Sequence, residues 1–223
     1  MSRRLVCCSG QFIVDAETGE RIRPIGQEKV LDFECHGDSM CVLVDSASIV
    51  HTPQAEIRIE GHVVALIGGQ FLIQRNGWLS LDAKKFGRGR CAGYYKKVFP
   101  LCISAAGEIY YLTPGGERSD LCLPPLFAPS ACAEECIFDG KPAADELGFV
   151  VGLRLWREGR VEIAEFQFRE KELQFLCVHG ERRALFLGDS GRVFALHLDT
   201  LAFSLYTEHL AEGLDLRLLR SLP

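Results

Sequence analysis

The run Gly188-Asp189-Ser190-Gly191 could carry nucleophilic chemistry, because a serine held between small residues can attack an acyl group. That reaction needs a histidine base, an acid that orients the histidine, and rigid amides that bind the oxyanion. The upstream histidines His36, His51 and His62 stand singly in strand-like or turn-like segments. A hairpin turn accounts for all four residues of the run. We therefore predict a turn here and no active site.

Other patterns typical of catalysis are missing from the sequence. There is no Walker loop, no G-x-S-x-G elbow and no H-E-x-x-H helix. Gly87-Arg88-Gly89 is followed by Gly93, which misses the spacing of a dinucleotide-binding loop. The paired acids Glu134-Glu135 and Asp145-Glu146 are adjacent in sequence, a pattern more typical of a solvated loop than of a shared proton. We predict a protein that is not an enzyme and uses no cofactor.

Ten cysteines raise the possibility of a metal site. The nearest candidate ligands are Cys132 and Cys136 with Cys122 upstream, but no second close pair follows them. Most of the other cysteines lie in apolar strand-like runs, where cysteine packs as a small hydrophobic residue. We expect buried free thiols, and metal binding by Cys122, Cys132 and Cys136 stays open at this point.

One segment is strongly basic. Between Ala83 and Gly107 the chain carries six cations and no acid, a charge of +6. Because the net charge of the whole chain is −5, the remainder carries −11. Aromatic residues are interleaved with the cations, and such a mixture can bind phosphates, stack on bases or contact an acidic protein. A solvated connecting loop is the alternative. The residues that we predict to bind a partner are Lys84, Lys85, Arg88, Arg90, Tyr94, Tyr95, Lys96 and Lys97.

Composition indicates an ordinary globular chain: 48% of the 223 residues are hydrophobic and 25% are charged. Disorder and collagen are thereby excluded. The longest apolar runs, such as Val63–Ile67, are too short to span a bilayer. The apolar stretch after Arg3 and Arg4 stops at Cys8 and is too short for a signal peptide. We expect an intracellular protein in a reducing compartment, most simply the cytoplasm.

A repeat organises the chain. Six stretches each contain an apolar strand, a short turn and a second apolar strand, and consecutive turns are 28, 30, 30, 52 and 32 residues apart. A recurrent spacing of this size is typical of solenoids and propellers. Glycine at most of these turns suits the positive φ of a hairpin. The turn-closing residues are Gly19, Ala47, Gly77, Gly107, Gly159 and Gly191.

The repeat predicts an all-β fold, a propeller-like array of short strand-turn-strand repeats with less than about a fifth helix. Residues 1–223 are expected to form one repeat-built domain, with an inserted proline-rich loop at about 113–147. Leu214, Leu216 and Leu218 alternate with polar residues, which indicates a half-buried strand. Because a propeller avoids exposed edges by pairing its terminal strands, we expect residues 214–219 to close the array against residues 4–8.

The stretch from Cys177-Val178-His179-Gly180 to Gly188-Asp189-Ser190-Gly191 resembles a repeat of the RCC1-like propeller family, in which a strand ends in a small-residue/Gly pair and a turn-closing glycine follows eleven residues later. Phe33–Val50 repeats the pattern with Gly37, and Ala47 takes the place of the second glycine. The resemblance implies a β-propeller. The family's nucleotide-exchange role is not carried by any matching residues here.

Three functional hypotheses follow. The first is a non-catalytic interaction or scaffold subunit of a larger assembly, whose partners are other proteins. The second is a nucleic-acid-associated protein, for instance in a ribonucleoprotein, that uses the basic segment 84–97 on RNA. The third, which rests on the family resemblance alone, is a regulator of a small GTPase.

Overall fold

The computed structural model describes residues 4–25, 28–36, 38–45, 47–180 and 182–222. Of the described residues, 61% are strand and 3% are helix, which confirms the all-β prediction. Within the described part, helix is limited to two 3-10 turns, Thr207–His209 and Leu216–Leu218. No helix there is long and apolar enough to cross a membrane. The predicted turn residue Gly37 lies outside the described residues.

The chain comprises two compact units. The first contains residues 1–59, 144–151 and 165–223, and the second contains residues 60–143 and 152–164. The first is built from antiparallel sheets of four strands, whereas the strands of the second are hydrogen-bonded into one continuous sheet of twelve strands that includes one parallel pair. Groups of four strands recur within that larger sheet, so the strand-turn-strand repeat is present in both units. The prediction that residues 1–223 form a single domain stays a prediction.

The first unit contains three such sheets. The strands of the first sheet, in spatial order, are β24 (Leu219–Leu222), β1 (Arg4–Ser9), β2 (Phe12–Asp15) and β3 (Arg21–Pro24). The second contains β4 (Val30–His36), β5 (Ser39–Val44), β6 (Ala47–His51) and β7 (Glu56–Glu60). The third contains β20 (Leu173–His179), β21 (Arg183–Gly188), β22 (Val193–His197) and β23 (Ala202–Leu205). Clusters of Leu, Val, Ile, Phe and Cys side chains fill the space between strands.

The first and last strands pair as expected, but the last strand is not where the sequence placed it. β24 pairs with β1 in the register Arg4↔Leu222 to Cys7↔Leu219. Residues 216–218 instead form a 3-10 turn, because the Asp215 side chain accepts a hydrogen bond from the Arg217 amide and its carbonyl accepts one from the Leu218 amide. Closure of the array into a ring stays a prediction.

The second unit contains the remaining strands. Its first sheet has β8 (His62–Ile67), β9 (Gln70–Arg75), β10 (Trp78–Leu81) and the start of β11 (Lys84–Tyr95). The next has the end of β11, β12 (Phe99–Ser104), β13 (Ile109–Leu112) and β14 (Arg118–Asp120). The last has β15 (Pro129–Glu134), β16 (Cys136–Asp139), β18 (Val150–Arg157) and β19 (Arg160–Glu165), with the two-residue β17 (Ala143–Ala144) before β18.

Residues 113–147, predicted as an inserted loop, contain strands β14 to β17. Pro124, Pro125 and Pro129, three of the prolines that suggested a loop, end at the first residue of β15, and Pro142 lies between β16 and β17. From there the small and β-forming residues Ala131, Cys132 and Ile137 are buried in a hairpin. Proline is compatible with the first residue of a strand, so the proline-rich stretch marks the entry to a sheet.

Candidate partner-binding groove

Most of the basic segment, residues 84–95, is a strand, and Lys96 and Lys97 follow it in a turn. β11 runs for twelve residues, Lys84–Tyr95; its first half pairs with β10 and its second half with β12. Two glycines permit this sharing. A Cβ at Gly89 would collide with the Ile103 carbonyl oxygen, and one at Gly93, where φ is 108°, would collide with the Cys132 carbonyl oxygen. The high content of cations and glycines suggested a loop in the sequence, but most of the segment is a strand with a polar face.

A β-bulge decides which cations share that face. Leu79 is opposite Gly87 whereas Ser80 is opposite Lys85, so Phe86 is the extra residue. Phe86 packs on the buried cluster of the second unit. Because residues opposite each other project to the same side of a sheet, Arg88 lies beside Trp78 and Lys85 beside Ser80. Without the bulge, Lys85 and Arg88, which are three residues apart, would project to opposite sides of the sheet. We call Trp78, Ser80, Lys85 and Arg88 the basic face.

Three of the predicted cations hold the protein's own backbone or carboxylates. Lys84 donates to the Gly116 carbonyl at 2.6 Å. Arg90 donates to the carbonyls of Pro129 at 2.7 Å and Ser130 at 2.9 Å, which fixes the start of β15. Lys97 forms a 3.3 Å ion pair with Glu134, whose side chain is 4% exposed. The side chains of Lys84, Arg90 and Lys97 therefore stabilise the second unit through intramolecular contacts.

Tyr94 and Tyr95, predicted as anchors for a partner, are partly buried and pack against the clusters of the second unit. Their role in binding a partner stays a prediction. The Tyr94 hydroxyl accepts a 2.6 Å hydrogen bond from the Leu66 amide. The Tyr95 ring packs 5.7 Å from that of Tyr111 and 6.4 Å from that of Trp156, and burial raises the pKa of its hydroxyl. Both side chains therefore contribute to the core.

Lys85, Arg88 and Lys96 are the cations that remain. All three are exposed, and within the described ranges none forms an ion pair. The Arg88 guanidinium lies 5.8 Å from the centre of the Trp78 ring, and the Lys96 ammonium lies 5.4 Å from that of Tyr95. Trp78 is 44% exposed. Sequence reasoning missed this tryptophan, although its position directly after the Asn76-Gly77 turn placed it at the start of a hairpin strand.

A groove of about 510 Å³ opens beside Arg88, where the two sheets that share β11 meet. Two of the eight predicted residues, Arg88 and Arg90, line it, and none of its described lining residues is acidic. The backbone across its floor is satisfied: the Gly89 amide donates to the Gly77 carbonyl and the Ala105 amide to the Arg88 carbonyl, each at 2.8 Å. The lining residues are Asn76, Gly77, Arg88, Gly89, Arg90, Ile103, Ser104 and Ala105.

The Gly188–Gly191 run is a hairpin turn in the first unit. The Ser190 hydroxyl donates to the carboxylate of Glu170, and so do the Ser190 amide and the Arg192 guanidinium. Asp189 accepts from the Lys171 amide at 2.7 Å. The side chains of Asp189 and Ser190 thus both have structural partners within this unit.

The cysteines are free thiols, and seven of the ten are buried. Burial raises the pKa of Cys7, Cys8 and Cys41 to about 12. Cys132 and Cys136 are buried in β15 and β16, whereas Cys122 is exposed. Across the described stretches, no group of three or more His, Cys, Asp or Glu side chains is placed to hold a metal ion.

No protein-family model matches the chain, and no curated protein sequence matches it. Its fold is similar to that of the tricorn protease, with a TM-score of 0.51 and 12% identity over 79% of this chain and 22% of that one. It is similar to Hsv2 of Kluyveromyces lactis, with a TM-score of 0.50 and 10% identity over 80% and 62%. YCF48 bound to a D1 peptide gives a TM-score of 0.50 and 9% identity over 93% and 79%.

The fold is β-propeller-like. These likenesses extend over most of the chain, but at 12% identity or less they bear on the fold alone. The chain spans less than two thirds of the tricorn protease and of Hsv2. The predicted propeller is confirmed, and membership of the RCC1-like family stays a prediction.

Proposed function

We propose that this chain is a non-catalytic interaction module that binds a protein partner through the basic face and the adjoining groove, as a subunit of a larger assembly. The observation that carries the proposal is Arg88, whose exposed guanidinium lies beside a half-exposed tryptophan at a groove with no acid among its described lining residues. Arginine and tryptophan are enriched among the residues that dominate binding energy in protein interfaces.

The comparisons support a protein partner. YCF48, which shares the fold, has a structure with a peptide bound. The tricorn protease shares it too, but this chain corresponds to only 22% of that protein. In this chain the hydroxyl of Ser190 donates a hydrogen bond to Glu170 and not to a histidine that could activate it. This contact supports a non-catalytic role.

The alternatives have less support. Binding of RNA would use the same basic face, but three of the six cations are committed to intramolecular contacts. Regulation of a small GTPase rests on the RCC1-like resemblance alone. The free thiols of this chain support a reducing compartment, since disulfides persist in oxidising ones.

A pull-down from native lysate with quantitative mass spectrometry tests the proposal. The double variant Lys85→Ser/Arg88→Ser should lose partners that the unaltered protein recovers, because it removes both cations of the basic face and neither of them forms an ion pair within the described residues. Arg58→Ser is the matched control: Arg58 is an exposed cation of the first unit, paired with Glu28. Equal recovery of every partner by the double variant and by the control would refute the proposal.

A further inference from the structure

Building on the proposed function, we infer that the basic face binds a short extended peptide with acidic side chains at alternate positions. The face consists of Trp78, Ser80, Lys85 and Arg88, which occupy facing positions on β10 and β11. The inference goes beyond the proposed function in naming the chemistry and the spacing of the partner.

The spacing of the two cations carries the argument. Lys85 and Arg88 lie opposite Ser80 and Trp78, which are two residues apart on β10. Two residues of strand span about 6.7 Å. In an extended peptide, side chains at alternate positions are separated by the same distance and project to the same side. Two carboxylates placed in this way therefore meet both cations at once.

The number of available cations favours a peptide over a nucleic acid. Lys84, Arg90 and Lys97 hold intramolecular partners. Lys96 lies beyond the far end of β11, a strand of twelve residues and hence up to roughly 40 Å long, so that it acts independently of Lys85 at a Debye length of about 8–10 Å. Two adjacent cations on a chain of net charge −5 suit a short acidic motif better than a polyphosphate backbone.

Trp78 and the groove extend the site along the bound segment. The indole, 44% exposed, can cover an apolar side chain of the peptide next to the Arg88 contact. Beyond it, Gly77 lines the groove without a side chain and with open space at its Cβ position, which allows a backbone to approach. Asn76 and Ser104 add polar groups at its wall. The basic face and the adjoining groove thus together offer an anion site, an aromatic surface and polar contacts.

Fluorescence anisotropy with labelled probes tests the inference. The probes are a peptide in which glutamates alternate with alanines, a peptide of the same composition with its glutamates in one block, and an oligouridylate. We expect the alternating peptide to bind at least about fivefold more tightly than the block peptide, and Lys85→Ser and Arg88→Ser each to weaken it by about fivefold. Lys96→Asn, which removes the same charge at the end of the strand, should change its affinity by less than about twofold.

Several outcomes would overturn the inference: equal binding of the two peptides, tighter binding of the oligouridylate, no binding of any probe, or the same loss with Lys96→Asn as with Arg88→Ser. The pull-down separates this failure from that of the proposed function. Partners lost with the double variant while the alternating peptide fails to bind would overturn the peptide chemistry and retain the interaction site. Thermal melting of each variant verifies that the fold is intact.

Discussion

The carboxylate of Glu170 and the hydroxyl of Ser190 are joined by a hydrogen bond of 2.5 Å across twenty residues of chain. The same carboxylate accepts from the Ser190 amide at 2.9 Å and pairs with Arg192 at 2.5 Å. Its side chain is fully buried. A single acid therefore fixes a hairpin turn against the segment that precedes β20, and the catalytic appearance of the Gly188–Gly191 run is explained by this contact.

Replacing Glu170 by alanine should lower the free energy of unfolding by about 2–4 kcal/mol, because it removes charge-assisted hydrogen bonds and leaves their donors unsatisfied. Urea denaturation measures the loss. Glu172→Ala is the control: this acid is exposed and should change stability by no more than about 0.5 kcal/mol. Similar effects of the two substitutions would contradict the structural role of Glu170.

Arg220→Ala should destabilise the first unit by about 2–4 kcal/mol, since it leaves two partly buried carboxylates without their cation. Arg220, on β24, contacts Asp32 at 3.1 Å and Glu34 at 3.1 Å on β4. Burial opposes its charge, but these acids outweigh that effect and raise its pKa. The control Arg217→Ala removes an exposed pair with Asp215 and should cost less than about 1 kcal/mol. Thermal unfolding of both variants measures the two losses of stability, and equal losses would contradict this prediction.

The stability of the protein should depend on pH through His51. Burial lowers the pKa of His51 below its ordinary 6.5, although Glu56 at 3.2 Å acts in the opposite direction. A lowered folded-state pKa means that the unfolded chain binds the proton more readily. Its stabilising contribution is therefore complete above pH 6.5 and is lost as the pH falls through the folded-state value. Denaturation between pH 7 and pH 5 should give a steeper decline for the unaltered protein than for His51→Gln; parallel curves would refute this.

Thiol labelling should distinguish Cys122 from the other nine cysteines. Cys122 is the one that is exposed, whereas buried thiols with a raised pKa supply little thiolate at the surface. We expect about one thiol to react rapidly with an aromatic disulfide reagent in the native protein, and all ten in denaturant. The rapid phase should disappear in Cys122→Ser and remain in Cys41→Ser.

The hairpins could be predicted from sequence because a glycine with positive φ marks them. Gly77, Gly107 and Gly191 have φ values of 78°, 86° and 81° and connect the second strand of a sheet to the third. Gly19 and Gly159, however, connect the third strand to the fourth. The residues used to measure the repeat spacing therefore belong to two kinds of turn, one between the second and third strands of a sheet and one between the third and fourth. The pattern identified the repeat but could not assign each strand its place in a sheet.

The basic face could not be predicted from sequence, because it depends on a bulge. One extra residue, Phe86, reverses the side to which the following side chains project. Pairing of β11 with two other strands also depends on contacts across the sheets, which local charge and glycine content do not report. The sequence predicted Arg88 and Lys85 among eight residues that bind a partner, and that role stays a prediction. Only the contacts of the folded chain distinguish these two cations from Lys84, Arg90 and Lys97, which have intramolecular partners.

Because β11 pairs with both β10 and β12, it restricts where the length of this chain can change. Most neighbouring sheets are joined by a connection into which additional residues can be inserted, since such segments tolerate insertions. Between the sheet of β8–β10 and the sheet of β12–β14 the connection is itself paired on both sides. An insertion after Gly87 or Gly89 would shift the register of both sheets, so this junction should be the site in the second unit that accepts neither a length change nor a circular permutation.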